Sequence, residues 1–292
     1  MSFPASATEP GPQAGLSELI AAGSLEISPR ELHQAEAVAA LLPAGTCVYI
    51  PSLPGLPLPR TLETVAAMRN AGLDPVPHVS ARRIRDREEF RGLLKKASAD
   101  HGVHRVLLIG GDEPKPKGPF ADSLQILEEG LLADCGIREI GVAGYPEGHP
   151  RIGVAVLESS FKKKISLARE QKLGLYVVTQ FSFAPARVVE HCSQLARSAT
   201  GVSVYVGVAG PTDPIALARY AQRCGVSVSM RALRNLGTGI AKLVTHTDPR
   251  EHVMAVARYS ASHESSNVAG VHLYSFGGAV RTATWMRELI AG

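Results

Sequence analysis

The sequence predicts an α/β fold, a (β/α)8 TIM barrel made by a single domain, and three observations lead there. Short β-branched runs alternate with amphipathic stretches along nearly the whole chain, eight times by our reading. The runs are apolar at consecutive positions, as strands buried on both faces are, rather than alternating. The length of 292 residues suits one barrel, although a rule of about 150 residues per domain would allow two. An open doubly wound sheet is the alternative architecture.

The elements follow in order. Residues 1–16, rich in Pro, Ala and Ser, read as a disordered lead ahead of a barrel domain over 17–292. The lead has no basic segment followed by an apolar one, so it is not expected to be a signal peptide. The eight strand candidates are Leu25–Ser28, Cys47–Ile50, Pro75–Val79, Arg105–Ile109, Glu139–Ala143, Leu175–Thr179, Ser203–Val208 and Gly270–Ser275. Thr61–Ala71 sets Leu62, Val65, Ala66 and Met68 near one helical face, and Ser123–Leu132 does the same with Leu124, Leu127 and Leu131. Pro214–Cys224 is another helical stretch. The long spacing before the last strand calls for extra helices near Arg231–Leu243 and Val253–Ser260.

Composition narrows the function classes. Thirty-one basic and 27 acidic residues leave a net charge of only +4. The densest basic run, Lys162-Lys163-Lys164, has no interleaved aromatics, so nucleic-acid binding is not expected. Cys47, Cys135, Cys192 and Cys224 form no CxxC pair, which argues against zinc-ribbon and thioredoxin chemistry and fits a reducing cytoplasm. No run of 18 apolar residues suggests a membrane span. His101 and His104 lack partners at metal spacing, so no metal is expected. Gly237-Thr238-Gly239 lacks the third glycine of a dinucleotide fingerprint.

In a barrel of this type the chemistry sits at the C-terminal ends of the strands. Glu26 lies inside the otherwise apolar first strand, and it either faces solvent or faces the barrel interior. Burial disfavours the charged form of a carboxyl, which would suit a general acid. His78 ends the third strand, as a structural histidine or a ligand contact. Gly110-Gly111-Asp112 follows the fourth; two glycines allow a ligand to approach the backbone, with Asp112 offering a carboxylate, and a turn with a helix cap is the bland reading. Gln180 ends the sixth strand, where its amide reads a heterocycle or anchors the loop. The lysine run is a solvated helix face or a phosphate contact.

These mouth residues together resemble the methylenetetrahydrofolate reductase family, the flavin-dependent barrels of one-carbon metabolism. Val142-Ala143-Gly144-Tyr145-Pro146-Glu147-Gly148-His149-Pro150 is similar to that family's VAxYPExHP segment, and Thr179-Gln180-Phe181-Ser182-Phe183 to its TQFxF strand end. Pro77-His78-Val79, Gly111-Asp112 and Leu25-Glu26-Ile27-Ser28-Pro29 are similar to its PHL, RGD and FEFFPP segments, in the same order over residues 22–290.

The resemblance implies an oxidoreductase that interconverts 5,10-methylenetetrahydrofolate and 5-methyltetrahydrofolate by hydride transfer through FAD, with NADH or NADPH as the other redox partner. It implies Glu26 as the general acid, Asp112, Gln180 and Tyr220 as substrate contacts, and His78, Gly111, Asp112, Ala121, Tyr145, His149 and Lys164 as flavin contacts. It also implies a tetrahydrofolate substrate and a homo-oligomer. Several positions depart from the family pattern: Gly110 and Gly278 stand where it has arginines, Tyr49 where it has Thr, and Leu157 and Ser160 where it has Asp and Asn. A folate-contacting Gln is replaced near Ala216, and Tyr220 stands one residue out of register with the family's aromatic. A folate-binding accessory protein or altered-flavin paralogue without reductase turnover is therefore the alternative. A Schiff-base barrel ranks last, since no strand-end lysine is evident.

Overall fold

The structure is a computed structural model that describes residues 12–212, 217, 220, 226 and 248–291. Helix α1 (Pro12–Ala21) precedes strand β1 (Ser24–Glu26), and a 3-10 turn (Pro29–Gln34) leads through α2 (Ala35–Ala39) to β2 (Cys47–Ile50). Then come α3 (Leu58–Asn70), β3 (Asp74–Ser80), a 3-10 turn (Ala81–Arg83), α4 (Arg87–His101) and β4 (Arg105–Ile109). The next elements are α5 (Ser123–Glu128), α6 (Leu131–Asp134), β5 (Glu139–Gly144), α7 (Val154–Glu170), β6 (Gly174–Thr179), α8 (Pro185–Ser198) and β7 (Ser203–Ala209). After them stand α9 (Arg250–Ser262), β8 (Val268–Tyr274) and α10 (Ala279–Ala291), numbered here among the described helices. All neighbouring strands pair in parallel in sequence order, and β8 closes onto β1, so the sheet is a closed barrel of eight strands.

The predicted strands match within a few residues, and the differences have local causes. The first strand stops at Glu26 rather than Ser28, because Ser28 turns its hydroxyl to cap the following 3-10 turn and donates its N–H to Glu31 Oε2 at 3.2 Å. The helix expected over Ser123–Leu132 breaks in two at Gly130, which adopts φ 70°. Helix α1 begins at Pro12, ahead of the 16/17 boundary set by composition. Its Leu16, Leu19 and Ile20 are buried against α9, α10 and β8. The helices expected over Pro214–Cys224 and Arg231–Leu243 lie outside the described residues, apart from Leu217 and Tyr220, as does Cys224. Cys47, Cys135 and Cys192 are free thiols. Among the described residues no helix is long and apolar enough to cross a membrane.

Alternation sorts each strand into two faces. Leu25, Val48, Ile50, Val106, Leu108, Val177 and Val204 join the large core between sheet and helices. The opposite face fills the barrel. Tyr49, Val76, Leu107, Tyr176 and Val178 form its buried layer, with the Tyr49 hydroxyl donating to Tyr176 Oη at 3.0 Å. Toward the N-terminal ends Arg105 joins Glu139 at 2.7 Å and donates to Cys47 Sγ at 3.0 Å. Above the tyrosine layer the barrel opens to its C-terminal mouth.

Crowding at the mouth fixes one glycine. A Cβ on Gly207 of β7 would stand 1.9 Å from the Thr179 carbonyl oxygen and 2.8 Å from the Tyr274 ring. Gly207→Ala should cost at least about 3 kcal/mol, because backbone rather than a flexible side chain blocks it. Gly92 is exposed on α4, and a Cβ there would meet nothing within 4 Å. Gly92→Ala should therefore stabilise the chain by about 0.5–1 kcal/mol. Urea midpoints of the two variants check both signs.

Candidate functional site

Period two decides the orientation of Glu26. Ser24 and Glu26 share a face of β1, and Ser24 meets His272 of β8 across the barrel seam, its Oγ 2.9 Å from Nδ1. Glu26 therefore points into the mouth, its side chain only 16% exposed. Its Oε1 lies 3.6 Å from His78 Nε2 and 3.7 Å from His272 Nε2. Both imidazole nitrogens are buried, with no hydrogen-bond partner among the described residues. The Tyr49 ring meets His272 edge-on at 4.5 Å and His78 at 6.0 Å, so the tyrosine layer forms the floor of this cluster. Burial pulls His78 down to about 4, opposed by the neighbouring Glu26 carboxylate and assisted by His272.

The turn after β4 is shaped by Gly111. It adopts φ 97°, and a Cβ there would stand 2.1 Å from Ser80 Oγ. Asp112 follows, exposed at the mouth. Two arginines of the 3-10 turn after β3 hold the loop beyond it. Arg82 donates to the carbonyls of Ala121 (2.8 Å) and Glu113 (3.0 Å). Arg83, itself buried, pairs with Glu113 at 3.1 Å and donates to Ser52 Oγ at 2.8 Å. Ala121 also donates its N–H to Gln125 Oε1 at 2.6 Å, so both of its backbone groups are engaged within the chain.

A second wall rises from β5 and α7. Tyr145 and His149 meet edge-to-face at 5.1 Å. Burial raises the Tyr145 phenol, and the nearby Asp112 carboxylate raises it further. Burial lowers His149, with a smaller effect from Arg151, whose N–H donates to His149 Nδ1 at 3.1 Å. Lys164 of α7 is half-buried. Desolvation lowers its ammonium, partly offset by Asp122. Among the described residues it makes no ion pair within 4 Å, while Asp122 Oδ1 already accepts from Leu124 and Gln125. Val154 and Val156, 65% and 61% exposed, continue the wall as apolar surface.

The third side is aromatic. Gln180 donates its backbone N–H to the Gly144 carbonyl at 2.8 Å, and its Oε1 accepts from Phe181 N at 3.1 Å. Part of the side-chain amide is thus engaged in anchoring the loop. Tyr220 stacks on Phe276 at 4.5 Å and 22°. Phe276 also meets Phe181 edge-on at 5.2 Å and lies parallel to Tyr274 at 6.1 Å. Its φ of 51° is a left-handed conformation that a bulky residue rarely takes, and Gly277 at φ 85° follows it.

The structure thus joins Glu26 with His78, Tyr145 with His149 and Asp112, Lys164 with Asp122, and Tyr220 with the aromatic cluster. Sequence reading missed His272, whose signal was its position two residues before Tyr274 on the inward face of β8. It also missed Arg82 and Arg83, which had no motif, and Phe276.

The family model described as methylenetetrahydrofolate reductase matches residues 57–279. Among solved structures, a protein from Clostridium thermocellum that binds two copies of 5-methyl-5,6,7,8-tetrahydrofolic acid has the same fold. It superposes with a TM-score of 0.62 at 10% identity, over 92% of this chain and 94% of that chain. Dihydropteroate synthase from Thermus thermophilus superposes with a TM-score of 0.47 at 18% identity, over 92% of this chain and 90% of that one.

Burial of two histidines should make the protein acid-sensitive. His78 and the half-buried His191 of α8 are each drawn from 6.5 to about 4 by desolvation. The unfolded chain binds those protons first, so the stability they contribute is full above about 6.5 and drains away as pH falls toward 4. The upper figure is roughly 3 kcal/mol per histidine. Urea midpoints measured across this window should fall with pH, and His191→Leu should flatten the fall. Equal slopes for variant and parent would remove His191 from the account.

Proposed function

The chain belongs to the methylenetetrahydrofolate reductase family, and from that premise we propose that it interconverts 5,10-methylenetetrahydrofolate and 5-methyltetrahydrofolate by hydride transfer, using FAD and NADH or NADPH. One observation carries the reading: an inward carboxyl, Glu26, sits nearly enclosed at the mouth with two buried imidazoles on one oxygen. Folate binding alone needs no enclosed acid, whereas opening a methylene bridge does. A folate is also the ligand of the Clostridium thermocellum protein that has this fold.

Glu26 gives its proton to a ring nitrogen of the bridged folate. The carbon–nitrogen bond breaks with its electron pair passing to that nitrogen, and an iminium remains on the other. Asp112, a carboxylate at the mouth, favours that cation electrostatically. The free part of the Gln180 amide reads the pterin edge, and Tyr220 with Phe276 gives a flat apolar surface to the rest of the folate.

The residues present fit a flavin nucleotide. Lys164 is a desolvated cation without an ion-pair partner among the described residues, suited to a diphosphate. Tyr145 and His149 form an aromatic wall beside Asp112, and the His78 ring stands at the Glu26 carboxyl. Bound FAD would supply two-electron transfer between the nicotinamide and the one-carbon unit. The apolar Val154 and Val156, with Leu157 and Ser160 in place of the family's Asp and Asn, offer it few polar contacts. That wall favours a second reading, a folate-binding protein that holds no flavin and does not turn over.

Two measurements test these readings. FAD added to the purified chain should give a retained yellow protein and a raised melting temperature, with weaker binding than a full set of charge-assisted bonds at about 1.5–3 kcal/mol each would give. A colourless protein without a thermal shift supports the second reading. Glu26→Gln keeps the side-chain shape and removes the proton. Rapid mixing should show the folate half-reaction slowed by ~10²–10⁴-fold and the nicotinamide half-reaction near the parent rate. Equal slowing of both halves would indicate a damaged cleft instead.

A further inference from the structure

His272 has no role in the proposed chemistry so far, yet it is the most enclosed polar ring of the mouth, with none of its surface exposed. Three neighbours fix it. Ser24 Oγ lies 2.9 Å from Nδ1, the Tyr49 ring packs against it at 4.5 Å, and the Tyr274 ring stands perpendicular at 4.8 Å. Only the Nε2 edge is left, and it faces Glu26 Oε1 at 3.7 Å. That separation exceeds a hydrogen bond, as catalytic contacts often do before substrate closes them up.

The tautomer follows from the partners. A protonated Nδ1 would donate to Ser24 and turn the Nε2 lone pair toward the oxygen of Glu26, lone pair against lone pair once that carboxyl has given up its proton. A Ser24 hydroxyl that donates to Nδ1 leaves the proton on Nε2, aimed at the carboxyl. We infer that His272 is a positioning residue for Glu26, held by Ser24 in the Nε2–H tautomer so that it stabilises the carboxylate left when Glu26 has given its proton to the folate. The inference rests on the acid role proposed for Glu26. His272 itself exchanges no proton; the proton that Glu26 loses is restored from solvent at the end of the cycle.

The titratable neighbours agree with this division. His78 from β3 is kept neutral by burial, so it does not lock Glu26 into a permanent ion pair. From β2, Tyr49 directs its hydroxyl away, to Tyr176. From β8, Tyr274 donates its hydroxyl to the Thr179 carbonyl at 2.9 Å. His272 is thus the neighbour whose free polar edge is aimed at Glu26 and whose other nitrogen is already fixed.

Nitrogen-15 spectra of histidine-labelled protein test the tautomer without any turnover. The resonance pair lost in His272→Gln should report, in the parent, a protonated Nε2 and a bare Nδ1, and Ser24→Ala should shift it toward a mixture. In rapid mixing, His272→Leu should slow the folate half-reaction by about tenfold to a hundredfold. It should also move the limb at which activity is lost with rising pH to higher pH, and leave the nicotinamide half-reaction unchanged. His272→Gln, which keeps an N–H near the same point, should recover most of the rate, and Ser24→Ala should show a smaller loss in the same direction. Slowing without a moved limb or rescue would make His272 merely structural. No folate turnover by the parent would sink the acid role and this inference with it, whereas a protonated Nδ1 on His272 sinks the inference alone.

Discussion

Tyr49 fills the middle of the barrel, and what stands above and below it depends on that ring. A closed eight-stranded barrel has an interior just wide enough for side chains to fill. Here the filling is polar at its tips and aromatic in its body. The Tyr49 hydroxyl meets Tyr176, and burial pushes its phenol well above the ordinary tyrosine range. Its ring edges support His78 and His272, which in turn bracket Glu26. Below, the Arg105 guanidinium lies over the Tyr176 ring at 5.5 Å and holds Glu139. A smaller residue in place of Tyr49, such as the Thr of the family pattern, would leave both histidines without a floor.

The loops gain their order from internal pairing. Arg82 and Arg83 direct their donors to Ala121, Glu113, Leu56 and Ser52, so the segment after Asp112 is held by guanidinium bonds rather than by regular structure. The same bonds reduce the loop's capacity to meet a ligand through its backbone, as at Ala121. Lys164 stands apart from that network, a half-buried cation beside Asp122, whose carboxylate is already a helix cap. The mouth therefore combines a rigid side around β3 and β4 with an open, largely apolar one along α7.

Most of the barrel was legible in the sequence, because strands buried on both faces leave unbroken apolar runs such as Val106-Leu107-Leu108-Ile109. Element ends were harder. Ser28 reads as strand by neighbourhood but leaves the sheet to cap a turn, and Gly130 splits a helix whose apolar spacing runs through it. Glu26 was visible as a polar residue in an apolar run, though its direction needed the phase of the strand, which Ser24 and Leu25 supply. His272 was hidden for the converse reason. A histidine inside a strand looks like core, and its importance comes from two residues, Ser24 and Glu26, that are distant in sequence and adjacent across the seam. Arg83 was unreadable for the same cause, since its partner Glu113 lies on another loop.

The Ser24–His272 contact joins positions 248 residues apart, and it lies on the pairing that shuts the barrel. During synthesis β1 waits with one bare edge until β8 has left the ribosome, and α1 waits with it for α9 and α10. Contacts of such long sequence separation form late, because loop closure must precede them. Glu26 thus acquires its bracket only at the closing step of folding. Partly folded chains carry the carboxyl but not its setting, and a chain cut before residue 272 would present an open sheet edge rather than a weakened site.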